Sequence, residues 1–222
     1  MHGVDTANIV FTVLTLLANV ALVALVLLGI AARIDTALGR RARRALGAIG
    51  PRAGVLAAGI AIVTTLGSLY YSEVVGYLPC ELCWYQRIAM YPLSAILVVG
   101  LLRRDRAARW YALPFVVVGA PLALYHWLVE RVPSLAEGSS CSAFVPCSIP
   151  YFQELGYVTL AFMDMSAFLL IGALLLVGAC RPPGSKPPAA NSPAANSPAS
   201  NSPASNSPAS NSPASNPLEN PT

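Results

Sequence analysis

Apolar residues fall along the chain in long blocks, not at a helical or strand period. Five blocks stand out, residues 9–32, 53–72, 84–102, 110–129 and 157–179, of 24, 20, 19, 20 and 23 residues. A bilayer core about 30 Å thick takes about 20 helical residues. Each block is long enough to cross it, and polar or charged residues flank each one. Pro92, Pro114 and Pro121 fall inside blocks, which membrane helices tolerate where neighbours re-satisfy the freed carbonyls. The pattern predicts five membrane-spanning helices. No Lys or Arg precedes the first block, and it is longer than the apolar core of a secretory signal, so it is read as a retained helix.

Composition agrees. Of 222 residues, 55% are hydrophobic and 11% charged, with a mean hydropathy of +0.60. A soluble domain carries about 25% charged residues, so a water-soluble globular enzyme is excluded. The net charge of +4 says less than its distribution. Residues 33–52 hold six arginines, residues 103–109 hold four, and Arg181 and Lys186 follow the last block. In a five-helix arrangement these 12 of 14 cations share one side. Asp5, Glu73, Glu81, Glu130, Arg131, Glu137 and Glu154 fall on the other. Cationic loops stay cytoplasmic, which predicts the N-terminus outside and the C-terminus inside. The arginine-rich segments are read as topology signals touching anionic lipid, with no nucleic-acid role. Tyr70, Tyr71, Tyr77, Trp84, Tyr85, Tyr125, Trp127, Tyr151 and Tyr157 gather near the outer side. An interfacial belt explains some of them; the surplus points to a pocket for a flat, apolar ligand.

Residues 181–222 are different material. A pentapeptide, NSPAA and then NSPAS, runs five times through residues 191–215, and the tail holds 11 of the 19 prolines. With almost nothing apolar to bury, it is read as a disordered extension with polyproline leanings.

The chemistry lies in the cysteines. Cys80-Glu81-Leu82-Cys83 is a C-x-x-C at the outer mouth of the third block, and Pro79 before it suits a helix start. In a first helical turn both thiols feel the positive end of the helix dipole, which favours thiolate. Cys141 and Cys147 lie in the second outer loop, residues 130–156, which reads as mobile. Both pairs would face one oxidising compartment. Each could be a static disulfide, the four could bind zinc, or the two pairs could form a relay. Arg87 favours the relay. Cys80, Cys83 and Arg87 are spaced i, i+3, i+7 and share a helix face. An ionisable residue inside the membrane edge is functional by default, although an arginine this near the end can snorkel. Its expected role is to hold Cys83 as thiolate and to stabilise a negative oxygen on a bound electron acceptor. His126 falls at about the depth of Arg87. It is either a polar anchor or a hydrogen-bond donor to the same acceptor. Gln86 could bond the acceptor or face the surface. Asp164 could pair with Arg87 or His126, or face a wet crevice. Cys180, at the cytoplasmic end of the last block, is read as a bystander.

The segment PCELCWYQRIAMYP, a basic inner loop, LYHWL before the second outer loop, and C-x5-C with PCSIPY before the last block together resemble the DsbB/BdbC family of membrane disulfide oxidoreductases, in its BdbC-like branch. The resemblance spans roughly residues 53–180. It implies a four-helix bundle that passes electrons from thiols to a membrane quinone, ubiquinone or menaquinone. It also implies reoxidation of a thioredoxin-like, DsbA-type partner outside the membrane. Carried onto this chain, Cys141 would form the mixed disulfide with the partner and Cys147 would exchange with Cys80. Cys83 would lie beside the quinone, with Arg87 at the quinone oxygen and His126 nearby. The chain departs from the family in its first helix, in its tail and in the five-residue spacing of the loop pair. Gln86 also stands where enteric members have Glu.

The expectation is therefore an all-α integral protein of a bacterial cell membrane. Residues 1–52 form an extra helix and a basic loop, 53–180 a four-helix redox bundle, and 181–222 a disordered tail. A quinone-dependent thiol–disulfide oxidoreductase is expected, without a bound metal. The rivals are a quinone reductase like vitamin K epoxide reductase, a scaffold with static disulfides, and a metal-binding membrane protein.

Overall fold

The computed structural model describes residues 2–137, 141 and 145–179. Its elements are α1 (His2–Ala31), α2 (Ala37–Ile49), α3 (Ala53–Leu69) with a π-helical turn (Tyr70–Val74), α4 (Glu81–Leu102), α5 (Ala108–Val129), α6 (Pro133–Glu137) and α7 (Leu160–Ala179). Five of these helices are long and apolar enough to cross a membrane. Among the described residues the only extended pairing is an isolated bridge between Glu154 and Val158. Cys180 and the repeat tail lie outside the described residues.

Four helices close a ring, with α3 against α4, α4 against α5, α5 against α7 and α7 back against α3. Alternate helices run in opposite directions, so the C-x-x-C mouth and the loop cysteines share one end, the cysteine end. Close approach rests on small residues. Ala53, Ala57, Ala58 and Ala61 of α3 are buried in the seam with α7, whose Phe168, Ile171, Leu174 and Leu175 fill the centre. Small side chains let membrane helices meet backbone to backbone. The outward faces stay apolar, with Val20, Val117, Val118 and Leu176 all exposed, as a lipid-facing surface requires. Pro92, Pro114 and Pro121 sit within continuous helices.

Gly119 of α5 sets one contact. A Cβ built there would overlap the ring of Phe168, which is completely buried. Overpacking a filled core costs about 1–3 kcal/mol. Gly119→Ala is accordingly expected to lower the thermal unfolding midpoint in detergent, and Gly119→Val to lower it further.

The arginine end differs from the expectation of a plain loop. Residues 37–49 form α2, begun by Thr36, whose Oγ1 accepts from Gly39 N–H at 3.3 Å. Gly39 and Ala42 face inward while the neighbouring arginines stay exposed. Arg43 donates to Ala32 O at 2.7 Å, which satisfies the carbonyl just past the end of α1. α1 itself packs on α7 and α2.

The second loop at the cysteine end is also less free than its composition promised. Trp127 Nε1 donates to Tyr157 O at 3.2 Å and Arg131 Nη1 to Gly156 O at 2.7 Å. Tyr151 Oη donates to Leu78 O at 2.6 Å. These bonds pin residues 145–159 over the mouth of α4.

Candidate functional site

Cys80 is the N-cap of α4. Its backbone is extended, and its Sγ accepts from Cys83 N–H at 3.2 Å. This is the capping geometry that serine or aspartate usually supplies, here performed by sulfur. It places the Cys83 side chain beside that of Cys80, with the two Sγ atoms 2.6 Å apart. A disulfide spans about 2.05 Å, so oxidation of this pair needs only a small side-chain rotation. Cys141 and Cys147 are already joined, with Cα atoms 6.0 Å apart. All four cysteines pack into one cluster with Leu82 and Val129.

The two sulfurs of the C-x-x-C differ in their surroundings. Cys80 is buried and lines a small cleft with Cys83, His126, Glu130, Cys147 and Tyr151. His126 Nε2 lies 3.6 Å from Cys80 Sγ. The Gln86 amide nitrogen donates to His126 Nδ1 at 3.0 Å. That nitrogen is therefore an acceptor, the ring proton sits on Nε2, and Nε2–H points at the Cys80 sulfur. Behind it, Glu130 Oε1 lies 4.0 Å from Nε2, and the buried Thr159 hydroxyl donates to Glu130 Oε2 at 2.6 Å. Burial raises the Glu130 pKa. The hydrogen bond from the Cys83 thiol, with the one from His126 behind it, outweighs desolvation and brings Cys80 down to about 5.

Cys83 also lines a second, much larger space, a cavity of about 430 Å³ with mostly apolar walls. This falls within the size range of small-molecule sites. Its polar lining includes Gln86, Arg87, Tyr77, Tyr151 and Asp164. Arg87 Nε donates to Ser68 Oγ and Arg87 Nη2 to Ser68 O, both at 3.0 Å, and the guanidinium stacks on Trp84 at 5.4 Å. Those two bonds fix the fork and leave further N–H donors for a ligand. Tyr71, Tyr77 and Tyr151 form a stack, with ring centroids 5.7 Å apart for the first pair and 4.3 Å for the second. The π-helical turn aims Tyr71 inward, as π-bulges often do at functional sites.

Each residue singled out from the sequence can now be placed. Cys80 and Cys83 are together, with Arg87 on the cavity side, and Gln86 is buried between cavity and histidine instead of at the surface. Arg87 spends its hydrogen bonds on Ser68 and not on Cys83, and the thiol with the lowered pKa is Cys80. His126 belongs to the Cys80 cleft and not to the large cavity. Asp164 lines the cavity, with no hydrogen bond or ion pair to Arg87 or His126 among the described residues. Glu130 and Ser68 were not anticipated. For Glu130 the available signal was its i, i+4 spacing from His126. For Ser68 there was none, because it reaches Arg87 across a helix pair.

Cys80, Cys83 and His126 also place three potential metal-binding atoms within 4.8 Å of one another. Two thiols and one imidazole are three ligands, one short of a closed four-ligand structural zinc site.

The family described as disulfide bond formation protein DsbB matches residues 51–178. Disulfide bond formation protein C of Bacillus subtilis is 42% identical over 112 residues, covering 50% of this chain and 81% of that protein. The probable disulfide formation protein C of Halalkalibacterium halodurans is 43% identical over 111 residues, covering 50% and 81%. A probable disulfide formation protein of Coxiella burnetii is 40% identical over 118 residues, covering 53% and 80%. No solved structure matches the chain significantly. With five membrane-length helices and this kinship, the chain is a multi-pass membrane thiol–disulfide oxidoreductase and belongs to the DsbB family of disulfide bond formation proteins.

Proposed function

We propose that the protein reoxidises a thioredoxin-fold, DsbA-type dithiol partner outside the membrane and passes the electrons to a membrane quinone. The observation that carries this reading is that one C-x-x-C joins two spaces: Cys80 lines only the small cleft that holds the loop cysteine Cys147, whereas Cys83 lines both that cleft and the apolar cavity. The arginine distribution supports an orientation with both cysteine pairs and the N-terminus outside and α2 on the cytoplasmic surface.

The exchange begins when a partner thiolate attacks Cys141. The Cys141–Cys147 bond breaks and Cys147 leaves as thiolate. The partner's second thiol then attacks its own sulfur in the mixed disulfide, so the partner leaves oxidised and Cys141 is released. Cys147 next attacks the sulfur of Cys80 in an oxidised Cys80–Cys83 pair, and Cys83 leaves. Cys141 attacks Cys147, which re-forms the loop disulfide and expels Cys80. The low pKa of Cys80, set by the Cys83 and His126 hydrogen bonds, makes it a good leaving group. Two electrons now reside on Cys80 and Cys83.

A quinone bound in the cavity supplies an acceptor of two electrons and two protons. The residues present fit such a group: an apolar space beside Cys83, a tyrosine stack for a flat ring, and a guanidinium fork held by Ser68 for a carbonyl oxygen. Arg87 stabilises negative charge developing on that oxygen. Oxidation of Cys80 and Cys83 back to their disulfide would release two electrons to that acceptor, with the Cys83 thiol proton and one proton from solvent accompanying them.

The test mixes the purified protein with a reduced thioredoxin-fold protein and a short-chain quinone, and follows quinone absorbance. Rapid reduction is expected, lost on Cys→Ser change at 80, 83, 141 or 147. Undiminished reduction in any of those variants overturns the reading. Zinc near one equivalent by elemental analysis, with no quinone reduction, favours a metal site instead.

The lowered Cys80 pKa has its own readout. Alkylation rate follows the thiolate fraction, which rises with pH through the pKa. In reduced Cys83→Ser protein, where the serine hydroxyl can stand in as donor and His126 is unchanged, Cys80 alkylation is expected to reach half its plateau well below the pH of an ordinary thiol. It should be flat by neutral pH, whereas an ordinary thiol keeps accelerating to about pH 8.5. His126→Phe moves the midpoint upward. Mass-spectrometric rates of iodoacetamide labelling check both.

A further inference from the structure

α1 lies outside the residues that match the family, yet it builds part of the cavity. Phe11, Leu14, Thr15 and Ala18 line it. Their i, i+3, i+4, i+7 spacing is one helix face. The rotation of α1 is fixed by polar contacts. Asn19 Nδ2 donates to Ser166 Oγ of α7 at 2.9 Å, and Tyr71 Oη donates to Asn8 Oδ1 at 2.9 Å. Such groups inside a membrane must find partners, and here each reaches across to another helix. The ring of Phe11 fills the notch over Gly67 of α3, where a Cβ would come within 2.8 Å of it.

The facing wall is α3, through Val55, Gly59, Val63 and Gly67. From Gly67 to Val55 is twelve residues, about 18 Å of helix. Val55 and Val63 are 52% and 45% exposed, so the space between α1 and α3 opens sideways where lipid would be. One end of this apolar slot is beside Cys83 and Arg87; the other lies deep among alanine, glycine and valine.

We propose that α1 is the outer wall of a slot for the apolar tail of the redox ligand, and that it sets affinity for long-tailed over short-tailed quinones. The proposal rests on the quinone reading above and adds a ligand-binding role for a helix that the family match leaves out.

The test uses the full-length protein and two quinones with the same ring, one carrying a long isoprenoid tail and one a short alkyl tail. Binding is read by quenching of tryptophan fluorescence, to which Trp84 on Arg87 contributes. Leu14→Phe and Ala18→Phe each add bulk to the slot from α1, and Leu14 is partly exposed, so its variant keeps the core intact. Both are expected to weaken the long-tailed quinone at least about tenfold and to leave the short-tailed one nearly unchanged. Exchange between the loop pair and Cys80, measured without quinone, stays as in wild type, and Val20→Phe on the lipid face changes nothing. If wild type binds the long-tailed quinone and both slot variants match it, or if they lose both quinones equally, the α1 role is rejected while the quinone reading stands. If wild type binds neither quinone, both fall.

Discussion

Replacing Cys83 with serine is expected to stop quinone reduction altogether, a loss of at least about a thousandfold in steady-state rate. The same change should leave one disulfide, Cys141–Cys147 or the Cys80–Cys147 link it exchanges into, able to accept electrons once from a dithiol partner. Cys83 is the only one of the four cysteines that lines the large cavity, and no neighbouring thiol can replace it there. Cys80 keeps His126 beside it and remains a nucleophile. A single turnover without quinone should therefore still oxidise about one equivalent of partner, and multiple turnovers should not follow. Stopped-flow absorbance with excess partner and quinone separates the two. A static-disulfide scaffold predicts lowered stability and no change in turnover, since there would be none to lose.

The second large effect is a division of labour between Arg87 and His126. Arg87→Ala removes the cavity's guanidinium and leaves the Cys80 cleft untouched. Loss of a charge-stabilising donor of this kind costs about 10²–10³ in rate, expected here on quinone reduction with thiol exchange unchanged. His126→Phe keeps the ring volume but removes the Nε2–H donor at Cys80 and strands the Gln86 amide. It is expected to slow exchange between Cys147 and the Cys80–Cys83 pair, because Cys80 loses the donor that stabilises it as a leaving thiolate. Stopped-flow quinone reduction by pre-reduced protein and quenched-flow thiol trapping measure the two steps separately. Equal effects of both substitutions on both steps would contradict the separate clefts.

The same separation explains what could be read from the chain beforehand. Membrane spans announce themselves through uninterrupted apolar length, and all five blocks became helices. Their ends did so less evenly. α4 begins at Glu81, three residues before its apolar block, and Pro79 with the C-x-x-C marked that start, since Cys80 caps the helix. α7 begins at Leu160, after residues 157–159 are taken up by the bridge to Glu154 and the bond to Glu130. α2 was hidden by its arginines, which look like loop charge until the small inward positions Gly39 and Ala42 are seen between them. Helix arithmetic placed His126 near the level of Arg87 but could not fix the rotation of α5 against α4. That rotation turns the imidazole to Cys80 and leaves the cavity to Arg87. Glu130 reads as one more surface acid beyond α5, and only the returning Thr159 shows that it is buried. Contacts between helices far apart in sequence carry no local signature, and the site is made of them.

The central claim is that Cys80 meets the loop and Cys83 meets the acceptor. Its most direct test is peptide mapping of a trapped intermediate. In Cys83→Ala protein, purified with its loop disulfide intact, Cys80 thiolate is expected to attack the loop and form a stable Cys80–Cys147 link, leaving Cys141 free to alkylate. Finding that link by mass spectrometry matches the account. In the converse Cys80→Ala protein Cys83 should remain a free thiol; a Cys83–Cys147 link there, with none from Cys80 in the first variant, contradicts it.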